Sequence, residues 1–171
     1  MDIYQQLDTS GEKNPFLDST TLGSTKKIDV MLDMETLGVS NDAVFFSIAM
    51  VYFERDKLID MNREVAIGSF VSTLEHFYCT VDARSALDYG MKMDIETVLW
   101  WMKQSEESRK ELYCYDTPLI FPDVMQLIYQ RLNQPDINCL WSHGSTFDCI
   151  ILQNAFDKIG LKNPISFRKV R

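Results

Sequence analysis

Asp33 and Glu35 flank Met34 at the close of a short apolar run that begins at Ile28. In an extended strand successive side chains alternate faces, so the two carboxylates project to one side and Met34 to the other. Like charges on one face repel, and a divalent cation removes that cost. Mg²⁺ takes oxygen ligands: one or two carboxylates, waters and substrate phosphates. The alternative is a pair of solvated acids at a strand exit, and Asp-x-Glu alone is too common to decide between them. A third acid, Asp148, follows the segment Trp141-Ser142-His143-Gly144-Ser145-Thr146-Phe147, a small-residue loop between an apolar run and a helical one. Asp148 then stands in the first turn of a helix, where the dipole favours a carboxylate with or without a metal. Ligands of open α/β sheets collect at the carboxyl ends of strands. If the strands before Asp33 and Asp148 are neighbours, all three acids reach one sheet edge and supply the donors of a two-metal phosphodiester site.

The elements that must position these acids follow from hydrophobic patterning. Ile28–Asp33 reads as a buried strand closed by Gly38, Ala43–Glu54 as a second, longer strand, and His76–Val81 as a third. Residues 55–73 suit either a short helix or a hairpin extension. Asp94 is an N-cap with Thr97, rather than Glu, at the capping-box position, and Val98, Trp101 and Met102 give helical spacing behind it. Leu119–Leu132 carries apolar residues at 124, 125, 128 and 132 and reads as a helix. Ile137–Trp141 is a short strand, and Phe147–Ile159 a helix ended by Gly160. Three strands, helices, a strand and a helix predict an α/β fold, a mixed sheet flanked by helices. Residues 1–26, rich in Ser, Thr, Asp, Gly and Gln and without periodicity, are expected to form a flexible tail, leaving 27–171 as one domain.

Composition is that of an ordinary globular chain, with 46% hydrophobic and 25% charged residues. The longest apolar stretch, Ala43–Phe53, is broken by Ser47 and too short to span a bilayer, and no signal peptide is seen at the N-terminus. The four cysteines (Cys79, Cys114, Cys139, Cys149) and two histidines (His76, His143) match no zinc-site spacing. Reduced, buried thiols and a cytoplasmic setting are expected. The net charge of −8 opposes phosphate binding through a basic surface. Bound metals reverse the local charge, so a carboxylate-rich nuclease site remains open.

Asp33-Met34-Glu35-Thr36-Leu37-Gly38 resembles the first motif of the DEDD exonucleases, and Phe147-Asp148 the second. Glu96-Thr97-Val98-Leu99-Trp100-Trp101-Met102-Lys103-Gln104-Ser105, followed by Arg109, resembles the Thr-x-x-Trp-Trp-x-x-Gln-Ser helix of the branch that includes phage exonuclease A and the nuclease domain of exonuclease VIII. The resemblance runs from residue 28 to residue 168. It implies an RNase H-like fold and a 3′–5′ exonuclease acting on single-stranded or 3′-ended DNA or RNA. Asp33, Glu35 and Asp148 would hold two Mg²⁺ or Mn²⁺ ions, one activating water and one stabilising the leaving 3′ oxygen. Thr36 and Leu37 would lie against the terminal nucleotide, with Phe147 beside them. A phage origin, and then a host cytoplasm, follows only from that branch.

Trp100 and Trp101 divide between core and surface. Trp101 shares a helix face with Val98 and Met102, so Trp100 is the surface candidate for stacking on a base, a contact worth about 1–3 kcal/mol. His143 stands where the branch carries Asn or another small polar residue; it is an ordinary loop histidine or a phosphate contact. The family's fourth acid, with its nearby His or Tyr as general base, has no counterpart before Arg171. Asp157 follows Asp148 by nine residues, which puts it on roughly the opposite helix face. Either the chain is a truncated form of a longer exonuclease or it has lost the last motif, and two readings follow: a truncated exonuclease of weak activity, or a catalytically incomplete module that binds nucleic acid or a protein partner.

Overall fold

The computed structural model describes residues 27–59, 74–113, 118–144 and 146–171. The expected tail, Cys114 and most of the uncertain 55–73 segment lie outside them. Among the described residues four strands form one sheet in the order β3-β2-β1-β4, with β1 Ile28–Thr36, β2 Phe45–Phe53, β3 His76–Thr80 and β4 Ile137–Ser142. β1 pairs antiparallel with β2 and parallel with β4, and β2 pairs antiparallel with β3. The sheet is therefore mixed, as expected. Helices α1 (Arg55–Ile59), α2 (Ala83–Asp88), α3 (Ile95–Met102), α4 (Glu106–Tyr113), α5 (Phe121–Leu132) and α6 (Asp148–Lys158) accompany it.

Alternation in β1 separates core from site. Val30, Leu32 and Met34 are buried with Phe46, Ile48 and Met50 of β2 and Leu140 of β4. Phe121, Val124, Met125, Ile128 and Leu132 of α5 and Ile151, Leu152, Ala155 and Phe156 of α6 complete the same core. Each such side chain contributes about 1.5–3 kcal/mol by leaving water, which fixes the register of β1 and with it the direction of Asp33 and Glu35.

Several boundaries differ from expectation. β1 runs three residues past Asp33, so the acids sit inside a paired strand rather than at its exit. β2 begins at Phe45, because Ala43 is spent in a bridge with Lys92. α5 begins at Phe121 with Pro122 in its first turn, while Leu119 bridges Val81. Helices α2 and α4 were not anticipated. α2 is capped by Asp82, whose side chain accepts from the Arg84 amide. Gly160 ends α6 with φ 71°, a conformation open to glycine at little cost. Beyond β4, Val170 forms a parallel bridge with Leu140, and the Arg171 amide donates to the Leu140 carbonyl at 2.9 Å.

Candidate active site

The parallel pairing of β1 and β4 puts two of the acids side by side. Leu32 pairs with Ser142, the last residue of β4, so Asp33 is the next residue on, beside the turn that leads into α6. Asp33 is exposed, Met34 buried and Glu35 half-buried, the alternation expected of a strand with one face in the core. Glu35 pairs with Ser47, and the register slips between Glu35 and Thr36, which re-aims the strand end.

Asp148 is the first residue of α6 and only 5% exposed. Burial pushes its carboxyl above the usual aspartate range, and the negative charge of Asp33 pushes it further; its own amide, His143 and the Ser142 hydroxyl pull the other way. Among the described residues no lysine or arginine forms an ion pair with Asp33 or Asp148. No trio of His, Cys, Asp or Glu among them stands ready to grip a metal ion with the side chains as placed. The donor set is nevertheless all carboxylate oxygen, with a buried acid beside a second acid. That chemistry fits a hard divalent ion such as Mg²⁺ or Mn²⁺ better than zinc.

Next to the acids lies a cleft of about 530 Å³. Met34, Glu35, Thr36, Gly38 and Val39 form one wall, Asp94, Glu96, Thr97, Trp100 and Trp101 of α3 another, and Phe147 closes it beside Asp148. Its shape is held by a few long-range bonds. The Trp101 indole N–H donates to the Thr36 carbonyl at 2.9 Å, tying α3 to the end of β1. The Asp94 amide donates to the Leu37 carbonyl at 2.8 Å, while the Asp94 carboxylate caps α3 by accepting from the Glu96 amide at 3.0 Å and from Thr97 Oγ1 at 3.2 Å. Gly38 permits this approach: a Cβ there would meet Ala43 Cβ at 3.3 Å and the Asp94 nitrogen at 3.5 Å. Trp101 also stacks edge-on against Phe46, with centroids 5.3 Å apart.

The expected site residues fall into distinct places. Trp101 is buried and Trp100 is 54% exposed on the cleft wall, the assignment made from helical spacing. Thr36 and Phe147 line the cleft. Leu37 is buried and does not line it; its amide bonds to the Val44 carbonyl and its carbonyl to Asp94. His143 is exposed and lies near enough to Asp148 to favour its ionised form. Asp157 is exposed and accepts from Gln153 at 2.9 Å, consistent with its position away from Asp148.

Asp29, which attracted no attention in the sequence, is a fully engaged buried acid at the opposite end of β1. Its carboxylate accepts from Asn138 Nδ2 and Arg55 Nε at 2.9 Å, from Trp141 Nε1 at 2.8 Å, and from a second Arg55 nitrogen. Desolvation opposes ionisation, but the bonds from Asn138, Arg55 and Trp141 outweigh it and hold the carboxyl below the usual range. The Arg55 guanidinium also lies 5.0 Å over the Trp141 ring. Three donors converge on Oδ2 and one on Oδ1, so this group is an anchor between β1, α1 and β4. A larger hollow of about 640 Å³ lies near that end, between Tyr52, Glu75, Arg131 and Asp136, away from the paired acids.

A mixed sheet with a carboxylate pair at the β1–β4 edge defines an RNase H-like domain, and solved structures share the fold. An exonuclease I structure analysed for processivity superposes with a TM-score of 0.53 at 13% identity, over 84% of this chain and 27% of that one. The zinc-bound complex of Escherichia coli exonuclease I with single-stranded DNA gives 0.52 at 14% identity, over 85% and 27%. A product-bound exonuclease I gives 0.50 at 16% identity, over 84% and 28%. The chain thus spans little more than a quarter of these proteins. Residues 28–171 match the family described as the 3′–5′ exoribonuclease Rv2179c-like domain, and the chain belongs to that family. No curated protein sequence matches it. No helix among the described residues is long and apolar enough to cross a membrane.

Proposed function

We propose that the chain is a metal-dependent 3′–5′ exonuclease domain in which Asp33, Glu35 and Asp148 hold Mg²⁺ or Mn²⁺. The observation that carries this reading is the buried Asp148 beside Asp33, with no lysine or arginine paired to either among the described residues. Such a pair is costly in an empty site and favourable around a divalent ion. When bound, the ions supply an activated water and charge stabilisation at the leaving 3′ oxygen. The chain's own residues do the positioning. The Ser142 hydroxyl beside Asp148 favours the ionised carboxylate. Trp100, Thr36 and Phe147 offer the terminal nucleoside a stacking face and a polar contact in the adjacent cleft. Trp101 and Asp94 hold that cleft at a fixed distance from the acids.

The family description supports RNA as substrate, while single-stranded DNA occupies the E. coli exonuclease I complex; both polymers present the same 3′ phosphodiester to the acids. The Trp100-Trp101 helix supports kinship with the phage exonuclease A and exonuclease VIII branch.

The test uses 5′-labelled RNA and DNA oligonucleotides in Mg²⁺ or Mn²⁺, beside Asp33→Asn and Asp148→Asn. Stepwise shortening from the 3′ end that needs metal and disappears in both variants is expected. Shortening that survives both substitutions overturns the assignment. Metal-dependent binding with no shortening at all favours the binding-module alternative, which the net charge of −8 also favours.

A further inference from the structure

Residues 158–171 carry five of the chain's 17 lysines and arginines and no acid, a net charge of +5 beside −13 for residues 1–157. The five are Lys158, Lys162, Arg168, Lys169 and Arg171, and all are exposed. Elsewhere Arg55, Lys57, Arg84, Lys92 and Lys110 each pair with a carboxylate. Among the described residues none of the five in 158–171 does. Their side-chain bonds go to neutral carbonyls: Lys169 Nζ donates to Ile137 at 3.3 Å, and Arg171 Nη1 donates to Arg168 at 2.7 Å and to Val170 at 2.9 Å. Such bonds orient a side chain and leave its charge uncompensated.

The segment returns to the sheet beside β4. Val170 bridges Leu140 in parallel, the Arg171 amide donates to the Leu140 carbonyl at 2.9 Å, and the Ser142 amide donates to the Arg171 carbonyl at 3.4 Å. β4 stands between this segment and β1, so Arg171 lies two strand spacings, about 10 Å, from β1. Ser142 pairs with Leu32, the residue before Asp33. Lys169, bonded to Ile137, marks the other end of β4. These cations therefore follow the outer edge of β4 and reach the acids from that side, while the cleft is built from the end of β1 and from α3.

We propose that this segment is a track for the phosphate backbone of single-stranded nucleic acid, with Arg168, Lys169 and Arg171 holding the nucleotides upstream of the one in the cleft. The proposal rests on the reading of the Trp100 cleft as the seat of the 3′-terminal nucleoside. With that nucleoside in the cleft and its phosphate at Asp33 and Asp148, the rest of the strand continues toward β4. A divalent ion neutralises only the phosphate at the acids, and every phosphate behind it needs a cation from the protein. The −13 carried by residues 1–157 repels a polyanion, so the basic edge is where the strand meets attraction. Two of the three residues are arginines, whose planar fork suits phosphate oxygens. Contacts of this kind set the strand's register and read no base, so the track is indifferent to sequence.

Fluorescence anisotropy of a 5′-labelled RNA of roughly ten nucleotides on the full chain, from about 50 to 200 mM KCl at fixed Ca²⁺, tests it. A gel confirms that the oligonucleotide stays intact. Three phosphate contacts give a slope of about −2 in log affinity against log salt, a loss of about 15- to 20-fold across that range. Arg168→Gln, Lys169→Gln and Arg171→Gln should each reduce the slope by about 0.7, and the triple variant should flatten it. Arg168→Lys should keep the parent slope, because the contact is with charge. Lys57→Gln and Lys110→Gln, which remove cations already paired elsewhere, should keep it too. In Mn²⁺ the triple variant should raise KM for the long oligonucleotide about tenfold and leave that for a dinucleotide unchanged. A chain that shortens neither substrate fails the exonuclease reading, and the salt slope still decides the track. A parent that does not bind the RNA, or a triple variant with the parent slope, overturns the proposal. Equal losses in Lys57→Gln and Lys110→Gln also overturn it, since the charge of the whole chain and not this segment would then hold the strand.

Discussion

Replacing Asp148 with Asn separates a metal site from a structural carboxylate. In the folded chain burial and Asp33 raise the Asp148 carboxyl above its unfolded value. Ionising it therefore costs folded stability. The cost is absent below the unfolded pKa, grows as pH rises through the folded one, and is fully present at neutral pH. Repulsion between two neighbouring carboxylates near a protein surface is on the order of 1–3 kcal/mol. Asn removes that repulsion but forfeits about 0.3–1 kcal/mol of attraction between a carboxylate and the α6 dipole. The variant should gain about 1 kcal/mol in chelator at pH 7, or about 2–4 °C in Tm for a domain of this size. Metal reverses the order. At a hundred times Kd a bound ion stabilises the parent by about 2.7 kcal/mol, or roughly 5–10 °C, while the variant responds far less. Thermal melts of both proteins in chelator and in a Mn²⁺ series read the crossing directly. A variant that melts below the parent in chelator and gains as much from Mn²⁺ would show that Asp148 caps α6 and holds no metal.

The other expected outcomes concern the anchor and the cleft. Asp29→Ala leaves Arg55, Asn138 and Trp141 without their shared acceptor and should cost about 3 kcal/mol in denaturant unfolding, as when one partner of a buried pair is removed. Because the Asp29 carboxyl is held below its usual range, its contribution is present above the unfolded pKa and lost as pH falls through the folded one; the acid limb of the parent's stability curve should flatten in the variant. Trp100→Ala should raise KM for an oligonucleotide about 5- to 100-fold with kcat little changed, since an exposed stacking face binds ground and transition states alike. Gly38→Val should lower both stability and oligonucleotide affinity, because a side chain there meets Ala43 and the Asp94 backbone that shape the cleft.

What the sequence disclosed depended on whether a period was local. The alternation of Leu32, Asp33, Met34 and Glu35 is a two-residue pattern, and the structure repeats it as buried, exposed, buried and half-buried. The split between Trp100 and Trp101 follows from a 3.6-residue period over one helix. α2 and α4 carry no such signal. In α2 only Ala86 is buried, and α4, Glu-Glu-Ser-Arg-Lys-Glu-Leu-Tyr, is nearly all polar, helped by acids in its first turn and a Glu106–Lys110 pair at i,i+4.

Asp29 was invisible for a different reason. Its partners lie 26, 109 and 112 residues away, so nothing near it in the chain distinguishes a bonded buried acid from an acid that breaks an apolar run. The two acids of β1 thereby show how one residue type serves opposite ends. Asp29 gathers four donors, and its charge is satisfied by the protein itself. Asp33, four residues along the same strand face, meets Asp148 and, among the described residues, forms no ion pair with a lysine or arginine. Among the described residues the fold thus neutralises one acid with bonded donors and leaves another beside a third without a paired lysine or arginine. A divalent ion would relieve the repulsion left there, which is the physical reason to look for the chemistry at Asp33 and Asp148 rather than at Asp29.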